Sequence, residues 1–118
     1  MAGPHAIPVS TAVRAADDRV LLALGRKRDT LQRLRDESRV AFCLLGEGVA
    51  FTAHGHASVV AEQLDASERV VAVELRLARV QDHLADGRTE MLDGARWRWR
   101  DEVFGAAEEE IVAELGRL

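Results

Sequence analysis

Apolar and polar residues alternate along most of this chain, and the period of the alternation changes at a few sharp points. In His5-Ala6-Ile7-Pro8-Val9-Ser10-Thr11-Ala12-Val13 the residues Ile7, Val9, Thr11 and Val13 fall on one face. A period of two predicts a strand. Pro8 lacks a backbone donor, which places the strand at an edge or a bulge. Ala15-Ala16-Asp17-Asp18 reads as a polar turn. Val20-Leu21-Leu22-Ala23-Leu24 is a continuous apolar run, as in a strand buried on both faces, and the two segments predict a hairpin.

Gly25-Arg26-Lys27-Arg28 breaks this pattern. Asp29 with Gln32 has the form of a capping box, and Leu31 and Leu34 stand at helical spacing. A short helix is expected from about Thr30 to Glu37, ended by Ser38. Val40 to Leu45 reads as a third strand, and Gly46-Glu47-Gly48 as a hairpin turn. Val49, Phe51, Ala53, Ala57 and Val59 then alternate with Thr52, His54, His56 and Ser58, the cleanest strand signal in the chain. Gly55 in its middle predicts a bulge or a sharp bend.

Val70 to Val80 fits two templates. Val71, Val73, Leu75 and Leu77 alternate as a strand does, while Val70, Val73, Leu77, Val80 and Leu84 also fit a helix; the valine density favours the strand. Asp86-Gly87 is a turn. Arg96-Trp97-Arg98-Trp99-Arg100 alternates as a short strand or an extended loop. Phe104, Ala107, Ile111, Leu115 and Leu118 follow helical spacing, with Asp101 and Glu102 suited to the helix start and Arg117 to its end. Several short antiparallel strands with glycine bends, a short helix after the second strand and a C-terminal helix predict a mainly β domain of small-barrel type.

The chain has 118 residues, enough for one domain and too few for two. A composition 47% hydrophobic and 31% charged is that of a globular core, and no apolar run is long enough to span a membrane. Met1 to Pro8 has no basic segment followed by an apolar one, so no secretory signal is expected. The lone cysteine, Cys43, cannot form an internal disulfide, which fits a reducing cytoplasm; in an apolar strand it reads as a buried small hydrophobe. The net charge of −4 argues against nucleic-acid binding. Its distribution is uneven: Arg26 to Arg39 holds six basic and three acidic side chains.

That basic stretch is the best chemical candidate. Gly25-Arg26-Lys27-Arg28-Asp29-Thr30 joins a strand to a helix start, where free amides and the positive dipole end favour a phosphate. Lys27, Arg28 and the Thr30 hydroxyl would complete the site; Asp29 competes for the same helix end, and the plainer reading is a solvated loop capped by Asp29. His54 and His56, at i and i+2, share a strand face and are able to chelate a metal, but no cysteine-rich cluster accompanies them, so the expectation is a polar outer face and no metal site. If the segment is extended, Trp97 and Trp99 share one face, able to stack on a planar ring or fill a subunit interface. No Ser-His-Asp or Cys-His arrangement stands out.

In order along the chain, these motifs resemble the pyridoxamine 5′-phosphate oxidase-like family of flavin-binding split barrels. Gly3-Pro4-His5-Ala6-Ile7-Pro8-Val9-Ser10 looks like the first complete strand. Arg28 to Val40 resembles the phosphate loop, short helix and next strand. Phe51-Thr52-Ala53-His54-Gly55-His56-Ala57 resembles a later strand, and Val80-Gln81-Asp82-His83 with Arg96-Trp97-Arg98-Trp99 resembles the end of one branch. The resemblance implies a six-stranded split barrel, a homodimer, and flavin mononucleotide (FMN) at the dimer interface, with deazaflavin or haem in some relatives. It implies a cofactor phosphate at Arg28 and Thr30 with Lys27 nearby. It sets the strand Pro8-Val9-Ser10 against the flavin ring and brings Trp97 or Trp99 from the partner subunit. For a haem-binding relative, His54, His56 or His83 would be the axial ligand.

The sequence departs from the family at two places in the loop. Many members carry lysine where Thr30 stands and asparagine where Arg33 stands. Members also carry a leading helix and strand before the Gly-Pro-His segment, so the expected barrel is short of its first strand. An open barrel leaves apolar strand surface and two tryptophans to cover, which independently predicts a dimer. The expected activity is flavin- or deazaflavin-dependent oxidoreduction of a small-molecule substrate; the alternative is a non-catalytic dimeric barrel that binds a small ligand.

Overall fold

The computed structural model describes residues 3–118. Its elements run β1 (Ala12–Ala16), β2 (Arg19–Gly25), α1 (Asp29–Asp36), β3 (Arg39–Gly46), β4 (Val49–Ala61), β5 (Val70–Asp82) and α2 (Glu102–Leu115). Among the described residues the five strands form one antiparallel sheet in the order β1-β2-β5-β4-β3. The fold is mainly β, as expected. The sheet is barrel-like but not closed: β1 and β3 are its free edges, and no ladder joins them.

Alternation within β2 divides its apolar run between two cores. Leu22 and Leu24 join Val71, Val73 and Leu75 of β5, Ala57 of β4 and Leu31 of α1. Leu21 points the other way, to Ala72, Leu64 and Leu115. Each of these buried leucines contributes roughly 1.5–3 kcal/mol relative to an exposed one. The segment Val70–Asp82 is a strand, not a helix, because its alternating valines fill the first core between β2 and β4.

Gly55 is required by a close approach. The β4–β5 register shifts between His54 and Gly55, and a Cβ at Gly55 would lie 1.9 Å from the Arg76 carbonyl oxygen. The expected irregularity lies at this point, but its extra residue is Ala78 of β5, which advances from Leu77 to Arg79 while β4 advances from Gly55 to His54; the close approach admits only glycine at position 55.

Four expectations need correction. The segment 3–11 carries no strand; the ladder starts at Ala12, reached by a long bond in which Ala23 N donates to Thr11 O at 3.4 Å. Pro8 offers no donor there. The alternation still holds as packing, since Ile7 and Val9 lie against the first core and Val13 against the second. Asp29 does not cap α1. Arg28 is the N-cap residue, without a side-chain cap bond, and Asp29 accepts from Arg33 Nε at 2.7 Å one turn on. Cys43 is exposed, because β3 is an edge strand with one open face. The final helix stops at Leu115, so Leu118 lies beyond it; Phe104 is exposed, and only Ile111 and Leu115 of the expected stripe reach a core.

Candidate functional site

The basic loop is built by the exit of β2. Arg28 N donates to Gly25 O at 3.0 Å, turning the chain directly into α1. Arg26 is spent on structure: its guanidinium donates to the carbonyls of Glu62 and Glu68, and its amide to Arg69 O, tying the loop before β5 to the sheet. Lys27 and Arg28 are exposed and make no side-chain hydrogen bond or ion pair among the described residues. Two cations thus stand at a helix start whose amides no side chain caps, an arrangement suited to a phosphate. Asp29, beside them, is held ionised below the usual carboxylate range, first by its hydrogen bond from Arg33 and then by that charge.

The N-terminal segment is pinned to the same place. His5 Nε2 and Thr30 Oγ1 lie 2.8 Å apart, and Arg33 Nη1 donates to Gly3 O at 3.1 Å. Val9 packs against the core that includes Leu31 of α1. Pro8, Val9 and Ser10 are therefore carried on the α1 side of the sheet with Arg28 and Thr30. His5 was not singled out by sequence reasoning as a site residue. Only its place in the Gly-Pro-His motif marked it, and its partner is 25 residues away.

The tryptophans are elsewhere within the chain. Trp97 and Trp99 form a T-shaped pair with centroids 5.1 Å apart, and Trp99 leans on Phe104 at 6.4 Å. They sit on the first turn of α2, whose Leu115 and Ile111 bury into the second core, across the sheet from α1. Trp97 remains 60% exposed. A groove of about 380 Å³ lies beside the second half of α1, lined by Leu34, Arg35, Ser38, Ala57, Val59 and Val73 among others. It includes none of the residues expected at the cofactor.

His54 and His56 share a face of β4, whereas His83 stands apart just past the end of β5. His56 Nδ1 meets Ser38 Oγ at 3.1 Å, and His83 Nε2 meets Thr52 Oγ1 at 2.8 Å. Among the described residues, no three His, Cys, Asp or Glu side chains are grouped to hold a metal ion. No helix among them is long and apolar enough to cross a membrane. The chain matches no protein-family model and no curated protein.

Proposed function

We propose that this chain is a flavin-nucleotide-dependent oxidoreductase of the pyridoxamine 5′-phosphate oxidase-like kind, acting as a homodimer in the cytoplasm. One observation carries the reading: the His5–Thr30 and Arg33–Gly3 bonds tie the segment that leads into Pro8-Val9-Ser10 to α1, at whose uncapped start the Lys27 and Arg28 side chains are uncommitted. Lys27 and Arg28 would hold the phosphate of FMN, and the extended segment would meet the ring through its backbone. Bound flavin, or a deazaflavin in its place, supplies the hydride or electron chemistry. The exposed Trp97 and Trp99 would reach this site only from a second subunit.

Titration of the full chain with FMN tests the site. Charge reversal in Arg28→Glu removes a charge-assisted contact and is expected to weaken binding about tenfold or more. Arg117→Glu, at the C-terminal end, is expected to leave it unchanged. Equal losses in the two variants would overturn the assignment.

A second reading is a non-catalytic ligand-binding dimer. It is favoured by Thr30, whose hydroxyl is already engaged by His5. Turnover of a reduced cofactor with any electron acceptor would exclude it.

A further inference from the structure

Opposite α1, the open part of the other sheet face carries a row of arginines and histidines. The register sets Arg39, His56, Arg76 and Arg19 in one line across β3, β4, β5 and β2. A second line, Ala41, His54 and Arg79, runs beside it. Residues paired in this way project from the same face, with Cβ atoms about 4.5–5.5 Å apart.

The first line has counter-charges. Glu37 pairs with Arg39 at 2.6 Å, Glu74 bridges Arg19 and Arg76, and Asp18 lies 3.8 Å from Arg76. The second line has none: the side chains of His54 and Arg79 make no hydrogen bond or ion pair among the described residues, and Arg79 is exposed. The β-bulge lies beside this pair: β5 advances from Leu77 to Arg79 while β4 advances from Gly55 to His54, so Ala78, next to Arg79, is the extra residue. Bulges recur beside functional sites because they re-aim a side chain.

We propose that Arg79 and His54, flanked by His56 and Arg76, bind the phosphate group of a small molecule. Arginine offers a fork of donors matched to an oxyanion, and the imidazole opposite adds another. No Phe, Tyr or Trp stands among these positions to stack a base, and the chain carries a net charge of −4, so the ligand is a small phosphate compound and not a nucleic-acid strand. This site lies on the opposite face of the sheet from the α1 loop and does not depend on the flavin reading.

Titrating the full chain, without flavin, with inorganic phosphate and then pyrophosphate tests it by amide NMR. The expected result is saturable shifts at His54, His56, Arg76 and Arg79, weakened about tenfold or more in Arg79→Glu and unchanged in Arg117→Glu. If Arg79→Glu does not fold, Arg79→Gln and His54→Gln are expected to show the same loss. A tighter response to pyrophosphate would point to a polyphosphate ligand, and an equal response to a phosphomonoester; both support the site. Shifts confined to residues 27–31, no saturation, or equal weakening in Arg117→Glu would overturn it. So would a dimer that Arg79→Glu dissociates while phosphate moves none of these amides, because the face would then be a subunit contact.

Discussion

The two faces of the sheet come from the same strands, yet they are covered differently. On one face α1 and the N-terminal segment lie over a continuous apolar core that runs through β2, β5 and β4 and draws in Val40 and Phe42 of β3. On the other, α2 and Leu64 cover only the part built from Leu21 and Ala72, and the rest is charged and open. The difference teaches that alternation decides which residues share a face, whereas the placement of the two helices decides which face becomes a core. It also separates two kinds of chemistry. One cationic group sits at a helix start on the packed side, and the other is spread across strands on the open side.

Both faces depend most on one close approach, at Gly55. Gly55→Val places carbon against the Arg76 carbonyl, which no side-chain rotation relieves. A loss of about 4 kcal/mol or more is expected, seen as absence of a cooperative denaturant transition. Leu24→Ala, on the packed side, should cost about 2–5 kcal/mol in the same measurement.

Attachment of α2 rests partly on a polar contact, Thr11 Oγ1 donating to Glu108 Oε1 at 2.6 Å, while Glu108 Oε2 is buried without a partner. Thr11→Val strips the remaining partner and is expected to cost about 1–3 kcal/mol. Glu108→Gln should then recover part of the loss in the double variant, because it removes the buried charge.

Acid should act more gently, and on both sides of the sheet, since Arg33 depresses Asp29 and Arg35 depresses Glu62 by hydrogen bonding. Arg39 holds Glu37 at about 2, well below its ordinary 4.5, by side-chain and backbone hydrogen bonds. Hydrogen bonding from Arg19 likewise depresses Glu74. A depressed carboxylate stabilises the fold above its unfolded value, and that stability is lost as pH falls through the folded one. Stability is therefore expected to decline between pH 4.5 and about 2, and Glu37→Gln should flatten the decline in a pH series of urea melts. The smallest effect belongs to Trp97→Ala. With the ring 60% exposed, stability of the single chain should change by no more than about 0.5 kcal/mol, while light scattering should show a weakened dimer.

Much of the fold was legible. β2, β4 and β5 follow from their alternation, the place of the bulge from Gly55, and the α2 start from Asp101, whose carboxylate accepts from Val103 N. The N-terminal strand was misjudged because period two reports which side chains face inward, not whether backbone groups find a ladder. Burial of Cys43 was misjudged because nothing local reveals that β3 is an edge. Of the loop, Lys27, Arg28 and Thr30 were visible as a motif, but the pinning by His5 needs a contact distant in sequence. The charged lines on the open face needed the register of four strands; only His54 and His56 were visible as neighbours.

The flavin site proposed at the start of α1 is the step on which the functional reading rests. Its most direct test is the visible absorption spectrum of the full chain after equilibration with FMN and removal of free cofactor. A retained flavin band at about one FMN per chain, lost in Arg28→Glu, is expected. A colourless protein after loading with FMN, deazaflavin or haem, or a band equally retained in Arg28→Glu, would contradict it.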